Sequence, residues 1–134
     1  MQNQTSNRVL LGMLTPSSNT ILEPVTTRMI ADIEEASVHF GRFKVTEIAL
    51  SEQALAQFDA TEILVGAELL SHAKVQSIGW SGTAAGWRGF GADEDLCQKI
   101  TAHTGIAACT SVLALNEILR LTQVKKLGIA SPYT

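Results

Sequence analysis

Five short apolar runs, separated by longer stretches of helical periodicity, constrain this chain more than any other feature. The runs are Val9 to Leu14, Ser37 to Val45, Val75 to Trp80, Ile106 to Cys109 and Lys125 to Ala130. Ser37 to Val45 alternates through Val38, Phe40, Phe43 and Val45, with a kink expected at Gly41. Between the runs, Ile21 to Ile33 sets Leu22, Val25, Met29 and Ile33 roughly on one helical face, and Ala60 to Ala73 does the same with Ile63, Leu64, Ala67 and Leu70. Ser51 to Phe58 reads as a short helix. Asp93 to His103 is a helix that Gly105 should stop, and Ser111 to Leu121 is one with Leu115, Ile118 and Leu119 inward. Strands alternating with helices call for a mostly parallel sheet covered on both faces. Right-handed crossovers then leave an α/β fold of the flavodoxin-like, doubly wound kind.

A chain of 134 residues fits one ordinary domain, and 46% hydrophobic against 17% charged residues suffices for a packed core. Residues 1–7 are polar and are expected to be poorly ordered; residues 8–134 form the α/β domain. The net charge is −3 with no basic run, which argues against nucleic acid and against an anionic membrane surface as partners. No apolar stretch reaches the roughly 18 residues of a membrane span, and the N-terminus has no apolar signal core. Cys97 and Cys109 have neither zinc spacing nor a disulfide framework, so a cytoplasmic setting is expected. His39, His72 and His103 are scattered, with no metal spacing and no nucleophile beside them. The dinucleotide fingerprint and the phosphate loop are both absent, so a bound nucleotide is not expected, and the histidine spacing gives no metal site.

In open α/β sheets, ligands bind beyond the carboxyl ends of the strands. Four polar or small-residue segments should emerge there. These are Thr15 to Thr20 (TPSSNT), Ser81 to Gly86 (SGTAAG), Thr110-Ser111, and Ser131 to Thr134 (SPYT). The first places Pro16, Ser17, Ser18 and Asn19 at a helix N-terminus, where free N–H groups and the helix dipole favour an anion. A turn and an N-cap would use the same residues for local backbone bonds alone, with Thr20 and Glu23 as a capping box. In the second, Gly82 allows close backbone approach and Thr83 offers an N–H and a hydroxyl; a plain strand-to-helix turn would look alike. Tyr133, the sole tyrosine, could bring its hydroxyl to the same anion or simply lie half-buried. Trp80 and Trp87 are read as packing or as a substrate wall, and Arg88 as a surface residue or a carboxylate partner. Cys97 is read as packing. Cys109 is expected to be buried, with a reactive thiolate at the helix start as the alternative.

Four segments together carry a family resemblance: GMLTPSSNTILEP, IGWSGTAAGWRG, HTGIAACTSVLALNEILRL and KKLGIASPYT. From about Arg8 to Thr134 the chain resembles the first half of the aspartate/glutamate racemase superfamily, in the branch of maleate cis-trans isomerases and arylmalonate decarboxylases. The resemblance implies one of two similar α/β domains, with the chain ending near the handover to the second. A half-length protein would need a partner to close its site; whether the chain forms a homo-oligomer is left open. It also implies a cofactor-independent carbon-acid enzyme acting on a small (di)carboxylate through an enediolate-like intermediate. Asn19, Thr83 and Tyr133 would be the catalytic residues; Pro16, Ser17, Ser18, Asn19, Gly82, Thr83, Ala84 and Tyr133 would bind substrate. The isomerases place a first cysteine where this chain reads Gly82-Thr83-Ala84, and the decarboxylases similarly have glycine there. Ala84 lacks a hydroxyl that the decarboxylases use, whereas PSSNT is closer to the isomerase form. The implied activity is therefore decarboxylase-like, with maleate isomerisation and non-catalytic carboxylate binding as the alternatives.

Overall fold

A computed structural model describes residues 8–45, 60–82 and 89–130. Among the described residues there are four strands, β1 (Val9–Pro16), β2 (Ala36–Phe43), β3 (Ser77–Trp80) and β4 (Ala108–Thr110). The helices are α1 (Leu22–Met29), α2 (Ala60–His72), α3 (Phe90–Thr104) and α4 (Ser111–Leu121). All the strand pairs are parallel, in the order β2-β1-β3-β4. This is the doubly wound α/β arrangement that the alternation of runs requires. The expected helix at Ser51 to Phe58 lies outside the described residues.

Among the described residues most of the apolar core lies on one face of the sheet. Along β1, Gly12 and Leu14 look toward α2. A Cβ built on Gly12 would meet Leu70, and one on Gly66 would come within 3.0 Å of Leu14. Leu14, Ile63, Ile78 and Ile100 are all but sealed from solvent, each burial contributing about 1.5–3 kcal/mol. α2 and α3 lie together over this face. β2 runs through Gly41 without the expected break. That glycine serves close packing: a Cβ there would stand 2.8 Å from the Gly66 carbonyl oxygen. α3 ends where Gly105 takes a left-handed φ of 72°, its N–H closing on the Thr101 carbonyl.

Three expectations fail on the other side of the molecule. α1 stops at Met29, short of Ile33, and no residue of it is buried; Val25, Met29 and Ile33 stay exposed. In α4, Leu115 and Ile118 point to solvent despite correct helix bounds. Residues 125–130 form no strand, and Leu127 and Ile129 are exposed. Apolar periodicity marks a face fit for burial; these faces find no cover among the described residues.

Candidate functional site

The strands deliver their carboxyl ends to one edge. In register, Pro16 stands beside Phe43, Leu14 beside Trp80, and Trp80 beside Thr110. The loop after β1 is fastened to this edge by its own polar groups. Ser17 continues the ladder: its N–H donates to the Phe43 carbonyl at 2.8 Å. Its hydroxyl donates to the Val45 carbonyl and accepts from the Val45 N–H, both at 3.0 Å. The Asn19 N–H closes a turn on the Pro16 carbonyl at 2.9 Å. Ser17 thus has no proton left for a ligand, while the Ser18 side chain is exposed.

Asn19 starts the helix. Its Oδ1 accepts from the Ile21 and Leu22 N–H groups at 2.9 and 2.8 Å. Both partners are donors, so the amide orientation is fixed and Nδ2 faces away from the helix. The expected capping box of Thr20 and Glu23 is not formed. Glu23 is drawn instead to Arg42, whose Nε and Nη2 each lie 2.9 Å from Glu23 Oε1. Arg42 Nη1 also donates to the Ser17 carbonyl at 2.8 Å. Arg42 therefore clamps the loop to the first turn of α1 and sets a guanidinium beside the edge. The sequence reading passed it over. Its one signal was a charged residue on the Val38–Phe40 face, directly before Phe43.

At the end of β3, Gly82 lies under Trp80. A Cβ on Gly82 would fall 2.3 Å from Trp80 Cζ2 and 2.4 Å from Cε2, and Trp80 is itself buried, at 3% exposure. No side chain fits there while the ring stays in place. Ser111, the first residue of α4, donates its hydroxyl to the Gly82 carbonyl at 3.0 Å, tying the β3 and β4 ends together. Just before it, buried Thr110 caps α4 by accepting from the Leu113 N–H at 3.1 Å. The same hydroxyl donates to the buried carboxyl of Asp93 at 2.5 Å. Pro16, Ser17, Ser18, Asn19 and Gly82 are thus placed along one edge. Thr83, Ala84 and Tyr133, with Trp87 and Arg88, lie outside the described residues.

The two thiols differ. Cys109 is exposed, contrary to expectation, one residue below the edge; its Sγ is 3.8 Å from where a Gly79 Cβ would stand. Cys97 is half-buried on α3. Burial pushes its thiol from 9.0 up to about 11, with the charges of Cys109 and Asp93 adding to the rise. A raised folded value favours the protonated form, so Cys97 is a thiol, not a thiolate, at neutral pH. Its contribution to stability is complete below pH 9 and is lost as pH rises through about 11. Iodoacetamide near pH 8 should label Cys109 first and leave Cys97 largely unmodified, as read by peptide mass. Equal labelling of both would contradict this environment. Among the described residues no group of three His, Cys, Asp or Glu side chains could hold a metal ion, and no helix is long and apolar enough to cross a membrane.

No protein-family model and no curated protein matches the sequence. Solved structures do. The maleate isomerase Iso from Pseudomonas putida S16 superposes with a TM-score of 0.71 at 23% identity, over 87% of this chain and 50% of that one. The fold is that of half of this maleate isomerase. A cysteine-to-alanine variant of the same isomerase, solved with maleate, gives a TM-score of 0.69 at 24% identity over the same shares of the chains. An unliganded arylmalonate decarboxylase gives 0.60 at 15% identity, over 88% of this chain and 46% of that one. The chain spans about half the length of these proteins. The maleate isomerase fold is shared at the level of backbone, in agreement with the likeness read from the four sequence segments.

Proposed function

We propose that this chain supplies the carboxylate-holding half of a cofactor-independent carbon-acid enzyme, with a decarboxylase-like reaction on a substituted malonate. The observation that carries the reading is Gly82 beneath Trp80. The isomerases resembled by the sequence put a thiol at this position, and here the indole occupies the space that any Cβ would need. Chemistry that needs one cysteine on each side of the reacting carbon is then unsupported. One-thiol chemistry remains, with the cysteine brought by the other half of the site.

One substrate carboxylate would rest on the Asn19 Nδ2 donors at the N-terminus of α1, with Thr83 and Tyr133 as further donors. The helix dipole adds to that cradle. The bond to the second carboxylate breaks and carbon dioxide leaves. The electron pair moves onto the held carboxylate as an enediolate, which fixed donors stabilise more than they stabilise the ground state. A proton from the cysteine then closes the reaction at carbon. The PSSNT loop, closer to the isomerase form, favours a second reading: a single thiolate adds to a maleate alkene carbon, the former double bond rotates, and the thiolate is expelled as fumarate re-forms the double bond.

The deciding experiment offers the whole protein phenylmalonate and maleate in parallel. Carbon dioxide from the first and no fumarate from the second is the expected result. Fumarate from maleate would replace this reading with the isomerase. Ligand-raised melting temperatures with no turnover of either would leave a carboxylate-binding module.

A further inference from the structure

Thr15 is the penultimate residue of β1, next to the loop that the function above uses, and it is 0% exposed. Its hydroxyl oxygen is buried with no hydrogen-bond partner among the described residues. Buried Thr110 has a bond to Asp93 and another from Leu113. A buried hydroxyl left unpaired is costly, and valine would fill the same volume without that cost. The hydroxyl therefore needs a partner that the chain's described residues do not supply.

Its place in the fold indicates what that partner is. Leu14 points into the core, so alternation turns Thr15 to the opposite face. Its neighbour across the strand pair is Arg42, in register, with strand axes about 4.8 Å apart. Arg42 holds the first turn of α1 through Glu23 and the loop through the Ser17 carbonyl. Thr15 thus lies near the end of β1, in register with Arg42 and two residues before the Ser17 carbonyl that the guanidinium holds. An oxygen acceptor arriving there would find the hydroxyl donor near a guanidinium already paired with Glu23 and near the N-terminus of α1.

We propose that Thr15 is a further ligand-binding residue, whose hydroxyl donates to a carboxylate oxygen of the substrate held at the β1 edge. This deepens the functional reading above and rests on it. The hydroxyl is closed to solvent, so the carboxylate reaches it by displacing a neighbour at the edge. Thr15 then selects for ligands that bring an acceptor, and an apolar group in that position would leave the hydroxyl unpaired.

The test uses the whole protein, with maleate and phenylmalonate as probes, and compares Thr15→Val with Thr15→Ser. Thr15→Val should melt no lower than the wild type without ligand. It should bind the probe that the wild type binds about tenfold more weakly, a loss of about 1.4 kcal/mol, while Thr15→Ser keeps most of the affinity. A lower melting temperature for ligand-free Thr15→Val would show that the hydroxyl is satisfied within the protein and overturn the proposal. Unchanged affinity in Thr15→Val would overturn it too, leaving a bridging water as the partner. Failure of the wild type to bind either probe would strike the carboxylate reading itself, a result the ligand-free melts do not depend on.

Discussion

Gly82→Cys should melt several degrees below the wild type and should gain no isomerisation of maleate. The new Cβ would lie 2.3 Å from one carbon of the Trp80 ring and 2.4 Å from another. Trp80 is buried in the core with Ile78 and Leu96, so the ring cannot swing aside freely. Forced overpacking of this kind costs typically about 1–3 kcal/mol, and for a domain of this size each kcal/mol lowers the melting temperature by about 4 °C. Gly82→Ala should lose nearly as much, because the clash is with Cβ and not with sulfur. Both variants are checked by thermal melts, and Gly82→Cys also by following fumarate from maleate. A Gly82→Cys protein that melts with the wild type would mean that the ring yields, and the position would then be open to a thiol. Restoring a cysteine at this place thus requires more than one substitution, since the tryptophan two residues earlier has taken the room.

Sequence patterning disclosed the sheet and the α2 face that covers it, and missed the apolar faces of α1 and α4 that stay exposed. The order of elements was readable because strand runs and helical periodicities rarely imitate each other over eight or more residues; β1, α2, α3 and α4 fall close to where they were expected. The stop at Gly105 was readable because one residue's backbone freedom decides it. Contacts between distant residues were not readable. Glu23 has the spacing of a capping box, yet it pairs with Arg42, nineteen positions away, because β2 carries the guanidinium to the start of α1. Residues 125–130 have the composition of a strand, but a strand needs a neighbouring edge to pair with, and composition does not name one. The outward turn of Leu115 and Ile118 has the same origin: an apolar stripe states what a helix can bury, not what will lie against it. At the candidate site, a place of close approach was legible at Gly82. The reason for the glycine was not, since it lies in how the Trp80 ring folds back over it.

The asparagine at the β1 edge has two jobs on two atoms, and substitution can separate them. Oδ1 holds the Ile21 and Leu22 N–H groups, and Nδ2 is left for a ligand. Asn19→Asp keeps an acceptor for the helix and places a negative charge at its N-terminus, where the dipole favours it by about 0.3–1 kcal/mol. It removes both N–H donors and turns a carboxylate toward the substrate carboxylate. Turnover should fall at least about a hundredfold, the usual loss when one donor to a developing oxyanion is removed, with no fall in melting temperature. Asn19→Ala removes cap and donor together, so turnover should fall to a similar degree while stability drops by about 1 kcal/mol. Melting temperature and turnover measured on the same two preparations resolve the roles. Turnover preserved in Asn19→Asp would leave the residue as a helix cap and nothing more. An Asn19→Ala protein as stable as the wild type would mean that the first-turn N–H groups do not depend on this side chain, and the preformed cradle would lose its support.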